Sequence, residues 1–214
     1  MDFLDKHLSN YVDKHTQNEP DLLYALNRET HLKVLNPRML AGHLQGRVLS
    51  MLSHMIQPSK VLEVGTYTGY SAICFSEGLK EGGEIHTIDI NEELEPIQTK
   101  YFEKAGIANN VKRYVGNALA IIPQIEGPFD IVFLDADKEN YLKYFELTLP
   151  KIKKDGYLLA DNVLWSGKIL EENPKADDVD TIGLKAFNDA IQKDIRVENV
   201  LFPIRDGLMV CRKL

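Results

Sequence analysis

The stretch Val61-Leu62-Glu63-Val64-Gly65-Thr66-Tyr67-Thr68-Gly69-Tyr70-Ser71 passes from a short apolar run, through two glycines, into a helix-like pattern. A buried strand that turns sharply into a helix reads this way. Glycines let the backbone make that turn and come close to a ligand. The same order recurs downstream: Ile85-His86-Thr87-Ile88-Asp89, Ile131-Val132-Phe133-Leu134-Asp135 and Tyr157-Leu158-Leu159-Ala160-Asp161 each close on a carboxylate, with helical patterns between them. Strand and helix in alternation predict an α/β fold, a doubly wound and mostly parallel sheet with right-handed crossovers. Ligands of such sheets bind outside the carboxyl ends of the strands. Glu63, Asp89, Asp135 and Asp161 are therefore expected along one edge, as a site for hydroxyls, an amine and a cation.

Upstream of this core the pattern is helical. Leu4, Leu8, Tyr11 and Val12 keep helical spacing, Pro20 suits the first turn of a second helix, and Asn36-Pro37 breaks the pattern. A third helix from about Leu40 presents Leu44, Val48, Leu49, Leu52 and Met55 as an apolar stripe and stops before Pro58. These stripes read as core or dimer contacts. Downstream, Asn91 with Glu92 and Glu93 starts a helix that Gly106 stops, and Val111 to Val115 form a strand ending at Gly116-Asn117-Ala118. Val197 to Ile204, the turn Arg205-Asp206-Gly207 and Leu208 to Arg212 give a hairpin. The count is seven strands, with an antiparallel strand at the C-terminal end. One domain is expected from 214 residues, with 1–58 as a helical N-terminal portion and 59–214 as the α/β core.

The net charge of −7 gives no general attraction to phosphate backbones. The one basic cluster, Lys151, Lys153 and Lys154, reads as a solvated helix end, so a nucleic-acid partner is not expected. Cys74 and Cys211 make no disulfide framework and suit a reducing compartment. The opening Met1-Asp2-Phe3-Leu4-Asp5 lacks a basic, then apolar leader, and no apolar run approaches the roughly 20 residues of a membrane span. A cytoplasmic protein without membrane contact is expected.

In the first loop, Gly65 and Gly69 are spaced G-x-x-x-G with Tyr67 between them, and the dinucleotide fingerprint G-x-G-x-x-G is absent. With Glu63 at its start, the loop favours a cationic or hydroxyl-bearing ligand over a pyrophosphate. Asp89, 26 residues after Glu63, is placed to accept hydrogen bonds from ribose hydroxyls, ahead of its alternative as a helix cap. Gly116-Asn117-Ala118 would then lie by a base. Asp135 and Asp161 close two strands expected to be neighbours, and bare carboxylates that close repel unless a cation joins them. With Asn162 they make an oxygen-only set suited to Mg2+; as loop acids they would instead cap the helices that follow. Trp165, the only tryptophan, reads as an aromatic wall for a flat substrate, or otherwise as a loop anchor.

Glu63 to Ser71, Asp89, Asp135-Ala-Asp-Lys-Glu-Asn-Tyr141, Asp161-Asn-Val-Leu-Trp-Ser-Gly167 and Asp206-Gly207 together resemble the cation-dependent O-methyltransferases, the caffeoyl-coenzyme A and catechol group, from about Asn36 to Leu214. That resemblance implies a Rossmann-like methyltransferase fold and a homodimer. It implies S-adenosylmethionine held by Glu63, Gly65, Thr66, Tyr67 and Ser71, with Asp89 on the ribose, Ala118 by the adenine, and Asp135 and Asp137 toward the methionine part. Met39 and Ala41 fall at family positions over the cofactor. Asp135, Asp161 and Asn162 would ligate a divalent ion, expected to be Mg2+, and Asp135 and Lys138 would be catalytic, with Lys138 as general base. Trp165 and Ser166 would face a small catechol-like acceptor. The chemistry fits: a metal that chelates vicinal oxygens promotes their ionisation, and two carboxylates offset the ion's own charge.

Two departures matter, the first for the acceptor and the second for a polar contact at the cofactor. Asp180-Thr181 stands where the plant coenzyme A ester enzymes carry a phosphate-gripping Tyr-Arg pair, and Ala41 replaces a hydroxyl residue. Free catechols, flavonoid-like or other vicinal diols are expected in place of a coenzyme A thioester. The rival functions are methylation of hydroxyuridine in transfer RNA, which the charge disfavours, a metal-dependent phosphotransferase built on Asp135-x-Asp137, whose motif wants Thr or Val at Glu139, and a non-catalytic nucleoside-binding module.

Overall fold

Every residue of the strand Phe129–Leu134 is buried, as a strand covered on both faces requires. The computed structural model describes residues 5–214. Its strands form a seven-stranded sheet in the order β3-β2-β1-β4-β5-β7-β6, and the chain divides into two compact units, one running through Asn117 and one from Ala118 to Leu214.

In the first unit, helices α1 (Lys6–Lys14), α2 (Asp21–Lys33) and α3 (Gly42–Ile56) precede β1 (Lys60–Val64), α4 (Tyr70–Ser76), β2 (Glu84–Asp89), α5 (Glu95–Lys104) and β3 (Val111–Val115). β1 and β2 run parallel with Glu63 opposite Thr87, and β2 and β3 run parallel with Asp89 opposite Val115. Asn91 caps the turn that leads into α5 by accepting from the Glu93 amide, and Gly106, at φ 71°, follows its end. The first helix forms, although Leu4 of its expected spacing lies outside the described residues. Pro20 stands at the N-cap of α2, one position before the first turn.

The second unit holds α6 (Ala118–Ile121), β4 (Phe129–Leu134), α7 (Tyr141–Thr148), β5 (Ile152–Asp161), α8 (Val179–Lys193), β6 (Val197–Phe202) and β7 (Leu208–Lys213). β4 and β5 are parallel, with Leu134 opposite Ala160. β7 is antiparallel to both β5 and β6, which is the expected reversal at the C-terminal end. Among the described residues no helix is long and apolar enough to cross a membrane. Cys74 and Cys211 are free and buried.

Two expectations change. Of the expected α3 stripe Leu49 is buried, Leu44, Val48 and Leu52 are half-buried and Met55 is 75% exposed, so within the single chain only Leu49 of the stripe is core. The buried positions are Gln45, Gly46, Leu49, Ser50 and Ser53, because α4 and the turn after it approach too closely for larger side chains. A Cβ on Gly46 would sit 2.6 Å from the Tyr70 ring, and one on Gly78 would sit 2.3 Å from the His54 amide nitrogen. Gly78→Ala therefore forces backbone apart, and urea unfolding is expected to show a loss of about 1–3 kcal/mol. Lys153 and Lys154 are the other correction, while Lys151 does end a helical turn, Leu149–Lys151. β5 begins at Ile152, so Lys153 and Lys154 lie in a strand rather than at a helix end. Lys153 pairs with Asp130, and Lys151 donates to the Ile125 carbonyl at 2.8 Å.

Candidate active site

The loop after β1 is held from three sides. Gly65, Tyr67 and Gly69 all take positive φ, at 107°, 49° and 88°. At Gly69 a side chain fails twice, since a Cβ would also stand 2.6 Å from the Phe102 ring. The Gly65 and Thr66 amides donate to the Ile88 carbonyl at 2.9 and 3.2 Å, which ties the loop to the end of β2. The Tyr67 amide donates to Asp89 Oδ2 at 2.6 Å, and Gln98 Nε2 from α5 donates to the Tyr67 carbonyl at 2.8 Å.

Glu63 lies one residue inside β1 rather than at its tip, and is 0% exposed. Its Oε1 accepts from Ser71 Oγ at 2.5 Å and its Oε2 from Thr87 Oγ1 at 2.5 Å. Thr66 and Thr87 hydroxyl oxygens are 2.5 Å apart. Since Thr87 gives its proton to Glu63, Thr66 must give its own to Thr87, so one carboxylate anchors three hydroxyls that span the loop. Asp89 is half-buried and makes the bond of a capping residue while also holding the loop. Its Oδ2 fixes the loop, while its Oδ1 accepts from the Asn91 amide at 2.8 Å. A carboxylate has about four lone-pair sites, which leaves acceptor capacity for ligand hydroxyls. Of the remaining family positions in this unit, Met39 is exposed in the turn Pro37–Met39, and Ala41 is buried just before α3. The Tyr67 hydroxyl lies 3.3 Å from both the Leu35 and Asn36 carbonyls, which brings the segment before that turn to the loop.

In the second unit the register sets the acids side by side. One step beyond the Leu134–Ala160 pair come Asp135 and Asp161, on strands about 4.8 Å apart. Lys138 opens the turn Lys138–Asn140 and is 6% exposed; its Nζ donates to Asp135 Oδ1 at 2.9 Å and to the Tyr141 hydroxyl at 2.7 Å. The Tyr141 hydroxyl in turn lies 3.1 Å from the Leu134 carbonyl and 3.0 Å from that of Asp161. Burial first, then the nearby Asp135 and Asp161, push the Tyr141 phenol well above its ordinary range, so it keeps its proton. Asp137 accepts from Tyr144 Oη at 2.5 Å and from Asn140 Nδ2. Burial and this bond to Asp137 push the Tyr144 phenol up as well.

Asn162, at φ 59°, donates its amide to Asp161 Oδ1 at 2.8 Å. Trp165, Ser166 and Gly167 follow at φ 46°, 54° and 83°. The hairpin turn between β6 and β7 braces this loop: Asp206 Oδ1 accepts from the Ser166 amide at 2.5 Å, and the Asp206 carbonyl from the Leu164 amide at 2.8 Å. A Cβ on Gly207 would stand 2.5 Å from Leu164 Cγ. Asn188 Nδ2 holds the Val163 carbonyl at 2.9 Å from α8. Trp165 is half-buried and Ser166 exposed, while Ala118 is buried where α6 begins.

Thus Glu63, Gly65, Thr66, Tyr67, Ser71 and Asp89 gather in one unit, and Asp135, Asp137, Lys138, Asp161 and Asn162 in the other. Among the described residues no group of three or more His, Cys, Asp or Glu side chains could hold a metal ion. The expected set differs in kind, being two carboxylates and an amide, and such all-oxygen donors on adjoining strand ends fit a hard divalent ion. Thr87, Gln98, Tyr141 and Asp206 escaped the sequence reading as working residues. The polar His86-Thr87 interruption inside an apolar strand was the one signal for Thr87.

The O-methyltransferase family profile matches residues 13–214. Caffeoyl-CoA O-methyltransferase 1 of Zea mays is 35% identical over 206 residues, 92% of this chain and 80% of the maize protein. Tricin synthase 2 of Oryza sativa is 34% identical over 180 residues, 79% of this chain and 62% of the rice protein. Among solved structures, the SAH-bound methyltransferase PaMTH1 of Podospora anserina superposes with a TM-score of 0.88 at 26% identity, covering 97% of this chain and 94% of its own. The phosphotransferase and binding-module alternatives fall with these findings. The fold, the loop after β1 and the matched family agree: the chain belongs to the S-adenosylmethionine-dependent O-methyltransferases and is related to the plant caffeoyl-coenzyme A enzymes.

Proposed function

We propose that the enzyme methylates one hydroxyl of a small catechol-like acceptor with the help of a divalent ion. The pairing of Lys138 with Asp135, beside Asp161 and Asn162 on the next strand end, carries this reading. S-adenosylmethionine supplies an electrophilic methyl carbon, and a bound divalent ion supplies a Lewis acid that favours the ionised acceptor oxygen. The chain's own residues do the rest. Asp89 accepts ribose hydroxyls while its other bonds keep the loop in shape. Glu63 keeps Thr66 and Ser71 turned so that the loop backbone, not a carboxylate, meets the donor. Asp137, fixed by Tyr144, is the acid for the donor's amine, and Ala118, Met39 and Ala41 border it. Lys138 acts from its neutral amine form: the Nζ lone pair takes the acceptor's proton, and the ammonium so formed is the species held by Asp135 and the Tyr141 hydroxyl. Asp135, Asp161 and Asn162 hold the ion, and Trp165 and Ser166 meet the acceptor ring.

A free vicinal diol is the acceptor class. Thr181 is fully buried and Asp180 is anionic, so this start of α8 offers nothing to the phosphates of a coenzyme A ester. Relatives named for caffeoyl-coenzyme A and tricin support the O-methyltransferase reading. A cytoplasmic homodimer using Mg2+ completes the reading.

Transfer of a labelled methyl group to a panel of catechols, with and without chelator, tests it. Chelator is expected to lower the rate by about 100-fold or more, from the several kcal/mol a Lewis acid contributes, and added Mg2+ to restore it. Undiminished transfer in chelator would remove the metal while leaving the donor in place.

A further inference from the structure

We infer that Tyr141 and Gly183 are positioning residues for Lys138: the tyrosine hydroxyl holds the Nζ, and the bare Cα of Gly183 lets α8 close on the turn that carries it. This rests on Lys138 being the base of the proposed reaction.

A lysine in a surface turn ordinarily runs its charge out to water. Lys138 does the opposite, and two bonds keep it in: Asp135 Oδ1 at 2.9 Å and the Tyr141 hydroxyl at 2.7 Å. Tyr141 is fully buried and has one proton to give, which goes to the Leu134 or Asp161 carbonyl. Its oxygen must therefore accept from Lys138. The polarity of the chain is fixed, from lysine N–H to tyrosine oxygen and from tyrosine O–H to a strand end. One buried atom thus references the lysine nitrogen to both strand ends, those from which Asp135 and Asp161 project.

The backbone is referenced from α8. At Gly183 a Cβ would stand 2.6 Å from Glu139 Cα and 2.8 Å from the Lys138 carbonyl oxygen. Both are main-chain atoms, so no side-chain rotation relieves the overlap and the turn itself must move. One turn further along α8, the Phe187 ring meets the Tyr141 ring edge-on, with centroids 5.5 Å apart at 83°. The same helix therefore sets the lysine's main chain and the ring whose hydroxyl holds its nitrogen.

The test compares Tyr141→Phe and Gly183→Ala with the wild-type enzyme in three measurements: steady-state kinetics with a catechol, calorimetric binding of S-adenosylhomocysteine, and the rate of reductive dimethylation at Lys138, followed by mass spectrometry in enzyme without acceptor. Tyr141→Phe keeps the ring and its packing and is the variant that stays folded. Its kcat is expected to fall by about 10-fold, the worth of a hydrogen bond to a charged group. Gly183→Ala is expected to cost about 100-fold, as a 1 Å misplacement does. In both, KM for the methyl donor and nucleoside affinity stay at wild-type values while Lys138 labels faster. Wild-type kcat, unchanged labelling, or a parallel loss of nucleoside binding would each overturn the inference. Should Lys138→Ala retain full kcat, the base role fails instead, and the labelling rates still judge the positioning separately.

Discussion

Lys138→Ala is expected to reduce kcat for a catechol acceptor by about 10²–10⁴-fold, the range that a positioned acid or base contributes. S-adenosylhomocysteine affinity should stay at the wild-type value, because the Lys138 side chain bonds to Asp135 and Tyr141 and not to Asp137, Ala118 or the loop after β1, the groups proposed to meet the donor. Lysine is the right residue to test because its removal leaves the expected metal donors in place. Asp135 loses its 2.9 Å ion pair but keeps its carboxylate. Truncating Asp135 would remove a metal donor and the lysine's partner together, and the two losses could not be separated. Steady-state kinetics at saturating donor, paired with calorimetry, give the answer. Retention of the wild-type kcat would mean that another group, or solvent, accepts the proton.

Glu63→Ala should produce the largest loss of stability. The carboxylate is wholly buried and receives hydroxyl protons from Ser71 and Thr87, with Thr66 bound to Thr87 behind it. Alanine leaves those donors inside the protein with no acceptor, and each orphaned group costs about 1–3 kcal/mol. A total near 3–5 kcal/mol corresponds to a fall in Tm of about 10 °C for a chain of this size. Nucleoside binding should weaken with it, since Thr66 and Ser71 lose the contact that orients them. Glu63→Gln keeps one acceptor oxygen but turns an NH₂ toward a hydroxyl, and should fall between. Urea unfolding and calorimetry on both variants would decide; an alanine variant as stable as the parent would show that the hydroxyls find other partners.

The alternation of buried runs and helices was enough to read the sheet, its reversed C-terminal strand and the neighbourhood of Asp135 and Asp161, because strand burial on both faces leaves an unmistakable apolar run at 131–134. The inner face of α3 was not legible. Apart from Leu49 its apolar residues are half-buried or exposed, and its contact face is chosen by how near α4 comes, a distance that no periodicity records. The depth of Glu63 was hidden for a related reason. An acid near a strand end reads as a loop group, and the hydroxyls of Ser71 and Thr87, 8 and 24 residues away, help to make burial tolerable. Tyr141 and Asp206 stood inside recognisable motifs, but their bonds to the Leu134, Asp161, Leu164 and Ser166 main chain were not readable from spacing.

The hairpin turn at Asp206-Gly207 has a bearing on how acceptor preference could be re-engineered. The segment from Val163 to Ser166 hangs on that turn through three main-chain amides, those of Val163, Leu164 and Ser166. Grafting a relative's segment alone would leave it without its suspension, whereas moving it together with residues 205–207 transplants a self-supporting cassette. The two pieces, some 40 residues apart in the chain, are mechanically one piece.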